Sequence, residues 1–483
     1  MKKLALLGLS LIALACCAAC GSGSATRLVA QGSFDAGSLQ GQYAYYLTGT
    51  DLATGELFAE AGTFVADGNH NITAGTDDFN ETGLQLFNTP TTGTYQINTD
   101  GSGTITLNRS PLVLGSVVLS VTLISPSQLF ILGADGSSNS YGMALLQQTA
   151  ALAAPPSGSF AFRMHSQRPA SVGAIGDVTI TGGAVVSGSQ DQNSAGATTL
   201  LTLTGGTFDP PDANGRGTAT ITDSSLVSSR FFYYVIDANT FFVLFQDLDV
   251  IGVGHAEKQS GGFTDLSLFG NYAFGSRGET FVSGARTVGR FAADGVGNIS
   301  LGAFDSVRDG GTLAATFSSG TYSPMSPNGR TAVTLNASTG IVEAVFRMVS
   351  PTRAFLLFDD GTKIEDGTID AQTVATFTDA TMNGQFSFVM DGFDATSFLD
   401  RVGTLRWDGQ RNLQFSHMQV RNGAISGPVV VGGTYQVDSN GRTTGTVPGF
   451  SDNLIFYLVS SNRAYILQAD VNTEVDGSMS LQQ

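Results

Sequence analysis

Four times in 483 residues the chain repeats one opening, Gly-x-aromatic-small-aromatic: Gly41-Gln42-Tyr43-Ala44-Tyr45, Gly158-Ser159-Phe160-Ala161-Phe162, Gly270-Asn271-Tyr272-Ala273-Phe274 and Gly384-Gln385-Phe386-Ser387-Phe388. The opening glycines stand 117, 112 and 114 residues apart. Solenoid and propeller units run to roughly 20–50 residues, so a period this long makes each copy a small domain with its own core. Within a copy the apolar residues alternate, or come in short β-branched and aromatic runs bounded by Gly, Asn, Asp and Ser, and helical spacing is nowhere sustained. The chain is therefore predicted to be nearly all β.

Further landmarks recur at matching places. Asp67-Gly68, Asp294-Gly295 and Asp408-Gly409 sit between alternating apolar residues, a strong hairpin signal because the turn needs positive φ. The second copy shortens this hairpin and is the divergent one. A Gly-Thr-aromatic strand leads into a second turn, Asp100-Gly101, Asn214-Gly215, Asn328-Gly329 or Asn440-Gly441. Two apolar strands around a polar turn follow, and a strand ending near Gln148, Gln259, Gln372 or Gln483 closes the copy. This gives about eight strands per copy joined by short hairpins. An antiparallel meander of that kind either closes or leaves two sticky edges. The expected fold is thus four tandem eight-stranded β-barrels, with β-sandwiches as the alternative. The expected domains are repeats at 40–149, 157–260 (divergent), 266–373 and 378–483, with linkers between a closing Gln and the next opening Gly. The Gly-x-aromatic strand and the meander resemble lipocalin-like (calycin) barrels, and the array resembles tandem-repeat bacterial lipoproteins of uncharacterised function.

The N-terminus reads as an export signal: Lys2 and Lys3, a 12-residue apolar segment over 4–15, then small residues up to Cys20. Twelve residues are too few to span a bilayer, which takes about 20. The segment resembles bacterial lipoprotein signal peptides, in which a cysteine after small residues is lipidated. That resemblance implies acyl chains on Cys20, with Cys17 as the alternative and a plain cleaved signal as the other reading. It also implies a lipoprotein signal peptide over 1–20 with lipidated Cys20 as the new N-terminus, and a flexible Gly/Ser-rich tether over 21–39. Because Gly21-Ser22 follows Cys20 where the family's inner-membrane retention signal has Asp, it implies the outer membrane. All three cysteines lie in this segment, so the rest of the chain forms no internal disulfide and must rely on packed cores.

The formal charge is −17 and beyond the signal only Lys258 and Lys363 are lysines. With no basic cluster, phosphate neutralisation is unavailable and nucleic acid is excluded as a partner. The Asp-Gly turns at Asp67, Asp294 and Asp408 offer too few oxygens for calcium and read as hairpins. His70, His165, His255 and His417 fall at different points of the repeat, and no metal site or cofactor is called for. No Gly-x-Ser-x-Gly motif is present. The pairs Asp77-Asp78 and Asp359-Asp360 occupy non-equivalent places, and neighbours on a strand point to opposite faces, so neither is a glycosidase dyad by itself. Arg216, Arg330 and Arg442 each follow the Asn-Gly turn of their repeat and are candidate rim contacts for carboxylate or phosphate, with solvated turn cations as the alternative. Trp407, the sole tryptophan, is a candidate rim platform or a core residue. The expectation is a non-enzymatic cell-envelope lipoprotein whose modules bind or adhere, through the bilayer at its N-terminus and to an envelope protein, a glycan or a small apolar ligand. A carrier with ligand in the barrel lumens and an envelope hydrolase with a site in one divergent repeat are the alternatives; hollow lumens favour the first, and a cluster of His and carboxylates in one cleft favours the second.

Overall fold

The computed structural model describes residues 33–483 except 111–114, 168–169, 195, 249, 281–282, 360, 395–396 and 448–452; Cys17 and Cys20 lie outside the described residues. Four closed eight-stranded antiparallel barrels follow one another along the chain. They run from Gln40–Asp51 to Ser138–Leu146, from Gly158–Ser166 to Gly252–Lys258, from Phe269–Thr280 to Lys363–Ala371, and from Asn383–Asp394 to Thr473–Leu481. Closure pairs each first strand with both the second and the eighth, as in Tyr45 opposite Gly62 and Ala144, which removes the edges that an open meander would expose.

The opening motif owes its form to two packings at once. Its glycines adopt φ of +118°, +120°, +114° and +133°, which a side chain would resist. Its aromatics point inward: Tyr43 stacks on Phe64 and Tyr272 on Phe291. Each lumen is filled by its own cluster of such residues, including the fully buried Trp407 in barrel 4, set edge-on to Tyr435 and Phe456. The stretches read as linkers, and residues 33–39 at the end of the stretch read as a tether, are not loose. Short 3-10 turns at Ala36–Ser38, Thr149–Ala151, Asp265–Ser267 and Asp379–Thr381 cap the barrel ends with buried Phe34, Leu152, Phe263 and Phe377 beside them. The Tyr95, Tyr322 and Tyr435 hydroxyls of the Gly-Thr-aromatic strands donate to these turns. Barrel 2 has Phe208 there.

The barrels pack head to tail. The first two strands of each contact the sixth to eighth strands of the next, and barrel 4 meets barrel 1 in the same way. Such heterologous contacts generate a ring when the rotation closes, and here it closes after four. The small residue of the motif faces this joint: Ala44 packs with Phe232 and Tyr234, Ala161 with Val345 and Phe355, Ala273 with Ile455 and Tyr457. One glutamine clamp recurs at all four joints. Nε2 of Gln147, Gln259, Gln372 and Gln482 donates to the carbonyls of Asn214, Asn328, Asn440 and Asp100 in the next barrel, at 3.0, 2.9, 3.2 and 2.8 Å. The following amide, Gln148, Ser260, Thr373 or Gln483, donates across the same joint to Ile236, Val349, Val459 or Ile124.

Three joints add an ion pair, and it engages the arginines read as candidate rim contacts. The Arg216, Arg330 and Arg442 side chains are 14, 25 and 26% exposed, and each meets a carboxylate of the preceding barrel. Arg216 Nε and Nη2 donate to Asp78 at 2.6 and 2.9 Å. Arg330 grips Asp191, together with fully buried Arg347 at 3.0 Å, and Arg442 grips Asp305 at 2.8 and 2.7 Å. Tyr234 and Tyr457 donate to the same carboxylates. At the joint of barrels 4 and 1 both halves are missing: Ser102 stands in the arginine position, paired across its hairpin with Thr122, and the register places Met418 where the other barrels have Asp78, Asp191 and Asp305. Thr122, Ser387 and Gln482 hold that joint with neutral hydrogen bonds. Breaking a buried ion pair costs about 3–5 kcal/mol, so Asp191→Ala, which strands Arg330 and leaves Arg347 with Asp177 alone, is expected to lower the denaturation free energy by that order. Ser102→Arg combined with Met418→Asp is expected to raise the melting temperature while either change alone lowers it or leaves it unchanged. A double-mutant cycle by chemical denaturation checks both.

Candidate functional site: the chamber at the ring axis

Closing four barrels into a ring leaves a chamber of about 1160 Å³ lined by all four. Its walls are the second halves of the first strands, the eighth strands, and the turns between sixth and seventh strands. Structurally equivalent wall positions carry different chemistry. Thr48, His165, Arg277 and Asp391 share one position, and Tyr141, Val253, Asp366 and Asp476 pair with them on the eighth strands or lie in matching register. Leu145, Glu257, Asp370 and Ser480 occupy a third level.

Barrels 2, 3 and 4 supply the charged wall, and its ion pairs run across the joints. Arg163 and His165 of barrel 2 both meet fully buried Asp366 of barrel 3, His165 Nδ1 lying 2.7 Å from Asp366 Oδ1. Arg353 of barrel 3 bridges Glu257 of barrel 2 and its own Asp370, both at 2.7 Å. Arg463 and Tyr465 of barrel 4 reach the same Asp370. Arg277 of barrel 3 meets Asp391 and Asp476 of barrel 4, and Arg286 meets Asp476 at 2.8 Å. Barrel 1 supplies an uncharged wall of Tyr46, Thr48, Thr50, Tyr141, Met143 and Leu145. The Arg277 guanidinium sits over the Tyr141 ring, 4.8 Å from its centroid, and joins the two walls across the axis.

Electrostatics separate the acids of the chamber into two kinds. Burial would raise Asp366, Asp370 and Glu257, yet the facing arginines hold all three below the ordinary carboxylate range. Asp391 and Asp400 go the other way. Burial lifts Asp391 to about 6, and burial with the neighbouring Asp391 charge lifts Asp400 to about 8. Asp400 has an amide as partner, Asn139 Nδ2 at 3.0 Å from across the joint of barrels 4 and 1. Burial also raises Glu279 and lowers His255.

The remaining sequence candidates lie elsewhere. Asp67, Asp294 and Asp408 are saturated by their own turns: Asp67 accepts from the Asn69 and Asn71 amides and from Asn71 Nδ2, and Asp294 and Asp408 repeat the pattern with Asn298 and Asn412. Gly68, Gly295 and Gly409 take φ of +78°, +76° and +72°. Among the described residues no group of three or more His, Cys, Asp and Glu is arranged to hold a metal ion. Asp77 faces the barrel 1 lumen, bonded by Tyr45 and Arg109, while Asp78 serves the joint. Asp360 lies outside the described residues, which leaves that pair undescribed. His165 and His255 are the sequence candidates that the fold brings together. The chamber arginines and acids carry no sequence signal, because a wall that differs between copies leaves no repeat to notice.

Among solved structures the chain is similar to a tryptophan-to-alanine variant of the vaccine antigen transferrin binding protein B from Haemophilus parasuis Hp5. The identity is 11%, over 78% of this chain and 85% of that one, with a TM-score of 0.18. A likeness of that degree carries no argument about this chain. No protein-family profile and no curated protein matches the sequence.

A group whose folded pKa is raised favours the folded state while protonated, and that stability is lost as pH climbs towards the folded value. For Asp400 the loss runs from about pH 4 to about 8. Between pH 7 and 8.5 the histidines of the unfolded chain, with an ordinary value near 6.5, have largely finished titrating, so Asp400 governs the slope. The melting temperature should fall over that interval, and Asp400→Asn should flatten the fall and exceed the parent at pH 8.5. Parallel slopes for the two proteins in a pH series of thermal melts would remove Asp400 from this role.

Proposed function

We propose that the chain is an exported, lipid-anchored, non-enzymatic binding protein of the cell envelope whose ligand occupies the axial chamber. The carrying observation is where the four copies differ. Joint residues stay alike from barrel to barrel, as in the four clamp glutamines, while the wall of a cavity large enough for a small ligand has diverged into charged and uncharged sectors. The lumens are filled with aromatic side chains, which speaks against the carrier alternative. N-phenylnaphthylamine, an apolar fluorescent probe, should show no enhancement with the purified protein; saturable enhancement reinstates the carrier. Anchoring rests on Ala18-Ala19-Cys20-Gly21. Cys20→Ala should lose both radiolabelled fatty acid and membrane association, and retention of both moves the anchor to Cys17 or removes it.

A second reading has its own observation. His165 is braced by buried Asp366, and His255 Nε2 lies 3.3 Å from Glu257, both in the chamber; a braced imidazole facing a cavity is the arrangement of a general base. Under this reading the chain hydrolyses p-nitrophenyl esters or glycosides and His165→Gln abolishes turnover with Tm preserved. Under the leading reading, neither substrate class is turned over.

A further inference from the structure

We propose that the chamber takes an uncharged, polyhydroxylated ligand with an apolar face, of the class of neutral oligosaccharides. The inference rests on the chamber being the binding site and goes on to its chemistry.

The charged wall is already balanced. Five arginines face it, and five carboxylates hold them in pairs that cross the joints. A ligand of either sign would meet a like charge at every pair, or would have to part the pair and leave one partner buried and uncompensated, which is strongly unfavourable. The two remaining acids do not tip the balance far: among the described residues neither Asp400 nor Glu279 forms an ion pair with an arginine, and burial favours the protonated form of both. Except at Asp366, whose side chain is fully buried, the ion pairs set donor N–H groups beside acceptor oxygens along one surface. A cationic ligand can use only the acceptors, and an anionic ligand only the donors. A hydroxyl donates and accepts, so a row of hydroxyls matches the alternation without a net charge.

The opposite wall asks for something else. Barrel 1 offers Tyr46, Met143 and Leu145 with Thr48 and Thr50 between them, beside Tyr141, whose ring carries the Arg277 guanidinium, and no charged side chain on these two strands faces the chamber. Aromatic and aliphatic surface of this kind is desolvated favourably by C–H groups. One ligand that presents hydroxyls at its edge and C–H groups on its flat side satisfies both walls, and a pyranose ring has that shape.

The test uses the full chain purified in detergent and tetrasaccharides as probes: cellotetraose, maltotetraose and tetra-N-acetylchitotetraose as neutral members, tetragalacturonate as the acidic one and tetraglucosamine as the basic one, each by titration calorimetry. At least one neutral tetrasaccharide is expected to bind at least tenfold more tightly than either charged one. Thr48→Trp, which fills the chamber from the uncharged wall and replaces no member of an ion pair, should weaken that binding at least tenfold, with Ser480→Trp as the second filling variant should the first fail to fold. Neutral binding unchanged in a folded filled variant places the site outside the chamber and overturns the reading on which this inference stands. Charged tetrasaccharides that bind and are lost on filling, with the neutral ones inert, keep the chamber and overturn the ligand class. Absence of binding by every neutral probe up to millimolar concentration overturns the class as well.

Discussion

Ala44, Ala161, Ala273 and Ser387 leave room for one barrel wall to approach the next, and the ring depends on that approach. A bulky side chain at any of them would push the sixth to eighth strands of the neighbour away, and the angle between barrels would open. Closure after four units is a demand on angle, so an error at one joint accumulates around the ring instead of staying local. The glutamine clamp meets this demand by fixing a side-chain amide onto two carbonyls of the next barrel, for example Gln147 onto Asn214 and Val235. Such bonds are each worth only about 0.5–1.5 kcal/mol net. Their role is geometric: they set register where the apolar contact alone would slide.

This division of labour explains why the copies differ where they do. Joint positions answer to the same geometry four times, so Gln147, Gln259, Gln372 and Gln482 remain glutamine. The axis-facing positions answer only to the space they enclose, and one position there holds Thr48, His165, Arg277 and Asp391. Ionic contacts between barrels 2, 3 and 4 then stiffen the wall that they line. The aromatic sector of barrel 1 is connected to it by Arg277 over Tyr141, by the ion-paired joint with barrel 2, where Tyr46 also packs edge-on to Phe242, and by the neutral joint with barrel 4.

The fold was legible because hairpin turns and alternation are local. Asp67-Gly68 names its turn, and Tyr43 and Tyr45 name their inward face. The small residue between those aromatics carried information too, but its meaning lies in a neighbour more than 180 residues away in the case of Ala44 and Phe232, and no local rule reaches that far. The same distance hid the arginines. Read alone, an arginine after an Asn-Gly turn is a surface cation. Only the pairing of Arg216, Arg330 and Arg442 with Asp78, Asp191 and Asp305, one repeat earlier, reveals a buried clamp, and the joint absence of both partners at Ser102 and Met418 was the sequence-level clue that they belong together. The chamber had no such clue. Its residues are recognisable as a set only once the rotation that closes the ring is known.

The neutral joint between barrels 4 and 1 has a consequence beyond the single molecule. An opened chain exposes, at its two ends, surfaces that are complementary to each other but not to themselves: the first strands of barrel 4, and the sixth to eighth strands of barrel 1. Two opened chains can therefore complete each other's contact, giving a ring of eight barrels, and further additions of the same kind give a filament. Concentration competes with the chain's own effective concentration of one end for the other, so dilute protein favours the closed ring and crowded, partly opened protein favours polymers. The feature that leaves the ring a seam thus also makes this chain a potential monomer of a linear assembly.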